Sequence, residues 1–458
     1  MKTKNLWVVS MMALVMAACS SDDELNNAGV TQDNEGAVVT LKLDMSNPQT
    51  KGNPEATNDQ EGSMVENTIS NVTVVVDYGT TQKVIKSGDE GVTWTNTEDE
   101  KTFKFQTPAG DATFYVYANV NGTANEKETD AYNLSTNWAT DLVSNATDVS
   151  AYYKDNSFFM SNQNGEGVPF TINPDATNEV TVNIERAAAK VTVESEADFT
   201  DDPHGGKIIN NSMFFALGNT VNKFYLLQQD DYSIPTDVTY LDAVETWDKL
   251  IDVENSSTAD IENLPAIYCM ENVHDSYKKG NTTYIKFKTT FVPGRILTFD
   301  DNDTQVGLKV IGDTDLTSES GVDFYVVLGA TNSSLNSSYI KADDIENNSN
   351  VTIGQADEDG KCAVTGIEGI THISKKYEDG LCYFGPIWVN LNDAGDESPI
   401  YRNDWYHLTV NSIKLPGSPT EPKIDDEDKT DPLTEDVNVT VSLSVLKWNL
   451  VNHKVDLQ

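Results

Sequence analysis

Val437-Asn-Val-Thr-Val-Ser-Leu-Ser-Val445 alternates strictly: Val437, Val439, Val441, Leu443 and Val445 are apolar, and every residue between them is Asn, Thr or Ser. Side chains of a strand point to opposite faces with a period of two, so this stretch predicts a β-strand with one dry face. Near the other end of the chain, Ala37-Val-Val-Thr-Leu-Lys-Leu-Asp-Met45 aims Ala37, Val39, Leu41, Leu43 and Met45 the same way. Two strands with matching apolar rows can fill one groove. The pattern implies an N-terminal strand that is cut away and a C-terminal strand that takes the vacated place in another copy.

The chain has 458 residues, which at about 100–200 residues per domain points to two or three domains. Lys and Arg total 31 against 73 Asp and Glu, a net charge of −42 that argues against nucleic acid or an anionic membrane surface as partner. Thr, Asn, Ser, Val and Asp are abundant and long helix-forming stretches are scarce, so the expected class is mainly β.

The first residues read as an export signal. Lys2 and Lys4 precede an apolar run from Leu6 to Ala18, short for a membrane span and suited to a signal-peptide core. Met16-Ala17-Ala18-Cys19 then resembles a bacterial lipobox, which makes Cys19 the expected lipidated N-terminus of the precursor. The acidic run Ser20-Ser21-Asp22-Asp23-Glu24 is either a surface-export tag or a solvated linker. The remaining cysteines are Cys269, Cys362 and Cys382. Three thiols allow at most one internal bridge, with Cys362 and Cys382 the candidate pair and buried free thiols the alternative.

Residues 20–36 form a polar tether. After the Ala37–Met45 strand, residues 46–62 are rich in turn formers and nearly free of bulky apolar groups, as an exposed, protease-accessible loop would be. Lys51 is the only basic residue between Lys42 and Lys83, so a trypsin-like protease is expected to cut between Lys51 and Gly52. Further strands are expected at 71–78, 113–119, 179–185, 189–194, 283–291, 305–311, 323–329, 381–390 and 405–415, and amphipathic helices at 132–145 and 241–252. Residues 414–436 have linker composition and are expected to separate the last strands, 437–446 and 448–457, from the body. The expected plan is a signal peptide (1–18), a lipidated tether with the removable strand (19–51), an N-terminal domain (52–186), a C-terminal domain with linker (187–436) and donor strands (437–458).

Nothing points to catalysis. Five scattered histidines share no spacing, and no phosphate loop, nucleophile elbow or zinc motif occurs. No cofactor or metal site is expected. The acidic runs at 300–303, 357–360 and 425–428 read as solvated turns: in the second, Gln355 and Gly366 stand where a calcium loop needs Asp and Glu. Arg402 and Asn403 read as a structural corner.

Several landmarks together resemble a known family. Cys19 with its acidic tether, the first strand, a basic loop residue and then Glu66-Asn-Thr-Ile-Ser-Asn-Val-Thr-Val-Val-Val76 is similar to the fimbrillins of Bacteroidales, subunits of type V pili. Phe158-Phe-Met-Ser-Asn162, Ile184-Glu-Arg-Ala-Ala-Ala-Lys-Val191, Tyr268-Cys-Met-Glu-Asn272 and Ile400-Tyr-Arg-Asn-Asp-Trp-Tyr-His-Leu-Thr-Val-Asn-Ser-Ile413 resemble further motifs of that family. The resemblance implies two transthyretin-like β-sandwich domains, surface export as a lipoprotein, and head-to-tail assembly of copies by donor-strand exchange, together with tip and anchor subunits. It also implies a processing protease, arginine-specific in the best-known members. Here Arg186 is the first arginine of the chain and Lys51 stands at the expected cut. A shaft subunit of an adhesive fimbria is the leading reading. The alternatives are a tip or anchor subunit, or a glycan-binding surface lipoprotein using Trp94, Trp138 or Trp388 as sugar platforms.

Overall fold

The alternating stretches become strands, and their dry faces meet in separate cores. The computed structural model describes residues 36–45, 59–61, 65–97, 100–120, 142–143, 158–198, 206–209, 212–241, 248–249, 264–299, 305–310, 321–357, 360–434 and 439–449. The chain is mainly β, and among the described residues the single α-helix is Ala342–Glu346.

A nine-stranded sheet forms the first sandwich. Its order runs Gln82–Lys86, Val72–Asp77, Gly110–Ala118, Met160–Asn162, Asn178–Arg186, Ala37–Asp44, Lys101–Thr107 and Thr93–Asn96, with Val168–Ile172 beside Gly110–Ala118. The inward residues of these strands, among them Val39, Leu41, Val74, Phe103, Phe105, Phe114 and Val182, share one core. Val72–Asp77 differs from a simple one-sided strand. Thr73 and Val75 are buried as well as Val72, Val74 and Val76, because Val75 packs into a second cluster with Tyr117, Phe159, Phe224 and Met270.

The chain leaves this sheet at Arg186 and enters the next at Ala188, with Ala187 between. The second sheet has the order Ala266–Met270, Ala188–Asp198, Asp404–Ile413, Val439–Asn449 and Asp59–Glu61. It shares a core with the strands Phe214–Gly218, Tyr284–Val292 and Leu381–Trp388, filled by Val191, Val193, Phe215, Leu217, Ile285, Phe287, Phe384, Tyr406, Leu408 and Val410. A further seven-stranded sheet within 295–373 carries its own small core around Leu297, Val327, Ile340, Val364 and Ile373. The stretch expected as one C-terminal sandwich therefore holds more than one core among the described residues.

Two expectations are corrected here. The helices expected at 132–145 and 241–252 fall mostly outside the described residues, and their described parts are strand: Leu142–Val143 pairs with Phe224–Tyr225, Leu241 with Thr220, and Asp248–Lys249 with Phe214–Phe215. Partners distant in sequence satisfy this backbone, which apolar spacing in a short window cannot anticipate. The last strand does not stand apart from the body. Val439–Asn449 runs as a single strand along Asp404–Ile413, since that edge would otherwise leave the main chain beside Tyr406, Leu408 and Val410 unpaired.

Candidate strand-exchange site

The first strand lies inside its sheet. It runs parallel to Asn178–Arg186, with Val39 beside Asn178, Leu41 beside Val180 and Leu43 beside Val182. On its other side it runs antiparallel to Lys101–Thr107, with Ala37 beside Thr107, Val39 beside Phe105 and Leu41 beside Phe103. Both main-chain edges are therefore engaged, and the Asn178 amide also donates to the Val38 carbonyl at 3.0 Å. All five inward residues are buried: Ala37, Val39, Leu41, Leu43 and Met45 are 9% exposed or less, whereas Val38 is 40% exposed. Full burial of an aliphatic side chain stabilises by about 1.5–3 kcal/mol, so this row is a principal part of the sandwich core. Cys19, Lys51 and Gly52 lie outside the described residues.

The last strand is held differently. Along Asp404–Ile413, Val441 faces Val410, Leu443 faces Leu408 and Leu446 faces Trp405. Val441 and Leu443 are half-buried against the second core. Leu446 and Trp448, which have the opposite parity, are buried in the first core instead. The end of the strand thus crosses from one core to the other. Val437 lies outside the described residues, and for Val439 and Val445 only the backbone is described. The outer edge of the strand is covered at its end by Asp59–Glu61, which runs parallel beside Lys447–Asn449.

Trp448 sits at a junction of charged and aromatic groups. Its indole N–H donates to Glu66 Oε2 at 3.1 Å. Glu66 Oε1 accepts from the Tyr268 hydroxyl and pairs with Lys190 Nζ at 2.9 Å. The Arg186 guanidinium lies 4.3 Å from the indole centroid and donates to the Trp448 carbonyl at 2.9 Å, to Asn403 Oδ1 at 3.1 Å, to the Glu66 carbonyl at 3.1 Å and to Asn67 Oδ1. Tyr268 stacks on the indole at 5.7 Å and Phe158 meets it edge-on at 5.5 Å. The Lys190 ammonium lies 3.8 Å from the Trp405 ring centroid. Cation–π and charge-assisted contacts of this kind strengthen when desolvated.

Burial pushes the Glu66 carboxyl up, but Lys190, Tyr268 and Arg186 together outweigh it and hold the group below its ordinary value. Burial lowers the Arg186 guanidinium to about 10 against the opposing pull of Glu66, still charged at neutral pH. Burial, then the Glu66 charge, raises the Tyr268 hydroxyl. Nearby, Asp404 is pushed up to about 8 by burial and by the charge of Glu185.

The fimbrillin-like motifs quoted from the sequence converge here. Glu66, Asn67, Phe158, Arg186, Lys190, Tyr268, Asn403 and Trp405 come from five separate stretches, and Trp448 joins them from the last strand. Arg402 and Asn403 do form a corner. Arg402 donates to Glu271 at 3.0 Å and to the Tyr225 carbonyl at 2.9 Å, while the Asn403 N–H reaches the Ala188 carbonyl at 2.8 Å. The site role of Trp448 escaped sequence reasoning because it lies off the alternating row of the last strand. Its one sequence signal is a bulky aromatic opposite in parity to Val441 and Leu443.

Other candidates are placed as follows. Cys269, Cys362 and Cys382 are free and buried. The Cys362–Cys382 pairing is corrected, because Cys362 belongs to the small core and Cys382 to the large one. Trp388 is not an exposed sugar platform: it is buried and donates to the Thr434 carbonyl at 3.0 Å. Trp94 packs half-buried on the first core, and Trp138 lies outside the described residues. The acidic run at 300–303 is also outside them. Asp357 closes a turn on the Lys361 N–H at 2.8 Å, and no group of three metal-ligating side chains occurs among the described residues.

A mainly-β sandwich protein whose first strand completes its sheet from within is the class that this geometry defines. Residues 375–454 match the family described as major fimbrial subunit protein type IV, fimbrillin, C-terminal. Over that stretch the chain is similar to the C-terminal region of fimbrial subunits. Among solved structures it is similar to a fimbrillin, FimA, from Porphyromonas gingivalis, at 14% identity over 91% of this chain and 99% of that chain with a TM-score of 0.45. It is similar to the tip fimbrial protein Mfa3 of the same organism, solved with a C-terminal truncation, at 13% identity over 90% and 100% of the two chains with a TM-score of 0.37. A fimbrial assembly protein from Parabacteroides distasonis matches at 13% identity over 56% of this chain and 82% of that one, with a TM-score of 0.31.

Proposed function

We propose that this chain is the shaft subunit of an adhesive cell-surface fimbria and polymerises by protease-triggered donor-strand exchange. The observation that carries the reading is the first strand: it is flanked along both edges, and its five inward side chains lie in the core. Its removal opens a slot eight residues long between two strands, whose Phe103, Phe105, Val180 and Val182 flank it within the same core. Only another extended segment with apolar residues at every second position restores both the main-chain bonds and the packing. The last strand of another copy, with Val437, Val439, Val441, Leu443 and Val445, has that pattern.

Donor and slot lie on different parts of the subunit, so the contact is head-to-tail and builds a filament. In this reading Cys19 anchors the precursor to the outer membrane through its lipid. A trypsin-like protease cuts between Lys51 and Gly52, and tip and anchor subunits complete the fimbria. The cut removes four Lys and six acidic residues and leaves a charge of −40, as an extracellular, strongly solvated shaft would carry.

Replacing Lys51 with Ala tests the trigger. The variant should stay uncut and monomeric on size-exclusion chromatography, and its N-terminal sequence should begin at the lipidated Cys19. Filaments of normal length from that variant would refute the cut site. A start near Gly52 in protein from washed cells supports the shaft role, and a start at lipidated Cys19 there assigns the chain as an anchor.

A further inference from the structure

We propose that the Trp448 site is an autoinhibitory latch, which keeps the last strand on its own subunit until the cut after Lys51 frees the segment that closes it. The inference rests on the strand-exchange reading and adds its regulation. A strand that is to be donated must not be spent on its own subunit. Here it is docked there, and one short piece of chain joins Arg186, Tyr268 and Phe158 in securing its end.

That piece supplies two kinds of hold. Asp59–Glu61 pairs with the main chain of Lys447–Asn449, with Gln60 beside Trp448. A few residues on, Glu66 accepts the indole N–H at 3.1 Å and ties it to Lys190 at 2.9 Å, while the Glu66 carbonyl and Asn67 side chain engage Arg186. Arg186 in turn holds the Trp448 carbonyl. Elsewhere the strand is held by its ladder with Asp404–Ile413, and among its described side chains Val441 and Leu443 are half-buried while the exposed Ser442 hydrogen-bonds Asn411.

Connectivity makes this clasp sensitive to the cut. The first strand ends at Asp44 in its slot, and the same chain reaches the clasp at Asp59. In the uncut precursor both ends of the clasp are therefore tethered, upstream through the first strand and downstream through Val72–Asp77 of the same sandwich. Cutting between Lys51 and Gly52 leaves the clasp with a free end seven residues before Asp59. The clasp then loses its upstream restraint, and the chain-entropy cost of leaving Lys447–Asn449 falls. One cut would thus prepare the acceptor slot and the donor strand in the same subunit, and an uncut subunit would neither accept nor donate.

Hydrogen exchange on the full-length soluble precursor tests the latch, read by mass spectrometry at peptides covering 439–449, with 284–292 as the folded-core control. Exchange at 439–449 should speed about tenfold or more after a trypsin-like cut at Lys51 while 284–292 is unchanged. Uncut Glu66→Gln, which weakens the hold on the indole and on Lys190, should show the same acceleration without the cut. Uncut Trp448→Phe, which keeps the apolar ring but not the N–H, should fall between the two. If protection at 439–449 is the same before and after the cut, or unaffected by Glu66→Gln, the latch is wrong. Filament assembly is scored separately: assembly with unchanged protection overturns the latch and spares strand exchange, whereas faster exchange without assembly supports the latch and counts against strand exchange.

Discussion

The first and last strands carry nearly the same alternating pattern, yet the structure holds them in opposite ways. Ala37–Asp44 has a partner strand on each side and a continuous dry row from Ala37 to Met45. Val439–Asn449 has one full-length partner, a three-residue cover at its end, and a half-buried row at Val441 and Leu443. The first is bound along both edges over its length, and the last along one edge with further contacts gathered at Trp448. A distributed hold must be cut away before it yields.

The largest contrast should come from a charge placed in each row. Leu41→Asp puts a carboxylate in a position with no exposure, flanked by Phe103 and Val180, and should cost several kcal/mol, about 3 or more, with a matching fall in thermal midpoint. A midpoint within a degree or two of the parent would show that the first strand is not integral to its sandwich. The equivalent change in the last strand, Val441→Asp with Leu443→Asp, should cost the monomer less, about 1–3 kcal/mol in denaturant titrations, because those side chains have solvent within reach. It should nevertheless abolish polymerisation of the cut protein. Ser442→Asp with Ser444→Asp, on the exposed face, is the matched control and should assemble. Should the inward pair unfold the monomer as severely as Leu41→Asp, the last strand is an ordinary core strand, and the contrast between the two fails.

A pH-dependent effect concerns Asp404, whose backbone lies beside Lys447 at the anchored end of the last strand. Its folded value near 8 is raised from 3.8 by burial and by Glu185. The folded chain therefore keeps a proton that the unfolded chain releases above about 4, so the stability linked to this group declines as pH rises and levels off beyond about 8. Between pH 5 and 8 the decline is at most about 1.4 kcal/mol per pH unit. Asp404→Asn should be close to parental at pH 5 and should flatten that slope when denaturant midpoints are compared across the range. An unchanged slope would show that Asp404 is ionised in the folded protein.

The sequence by itself determined what is local and periodic. Alternation at Ala37–Met45 set which five side chains turn inward, and those five are buried. The same rule located the strands at 178–186, 284–292, 381–388 and 404–413 to within a few residues, since period-two patterning is a property of neighbouring residues alone. It also identified the fimbrillin resemblance that the match over 375–454 supports. What only the tertiary structure decided is non-local. Apolar spacing around Leu142 and Leu241 resembled helix, but pairing with Phe224–Tyr225 and Thr220–Val221 makes strands. Composition made 414–436 look like a tether to a separate tail, but the open edge of Asp404–Ile413 recruited that tail into the sheet. The motifs at 66, 158, 186, 268 and 403 were each legible as landmarks, and nothing in any one of them indicated that all five surround Trp448. Their meeting depends on two cores pressing on opposite faces of one strand end, an arrangement written in contacts between residues as far apart as Glu66 and Trp448.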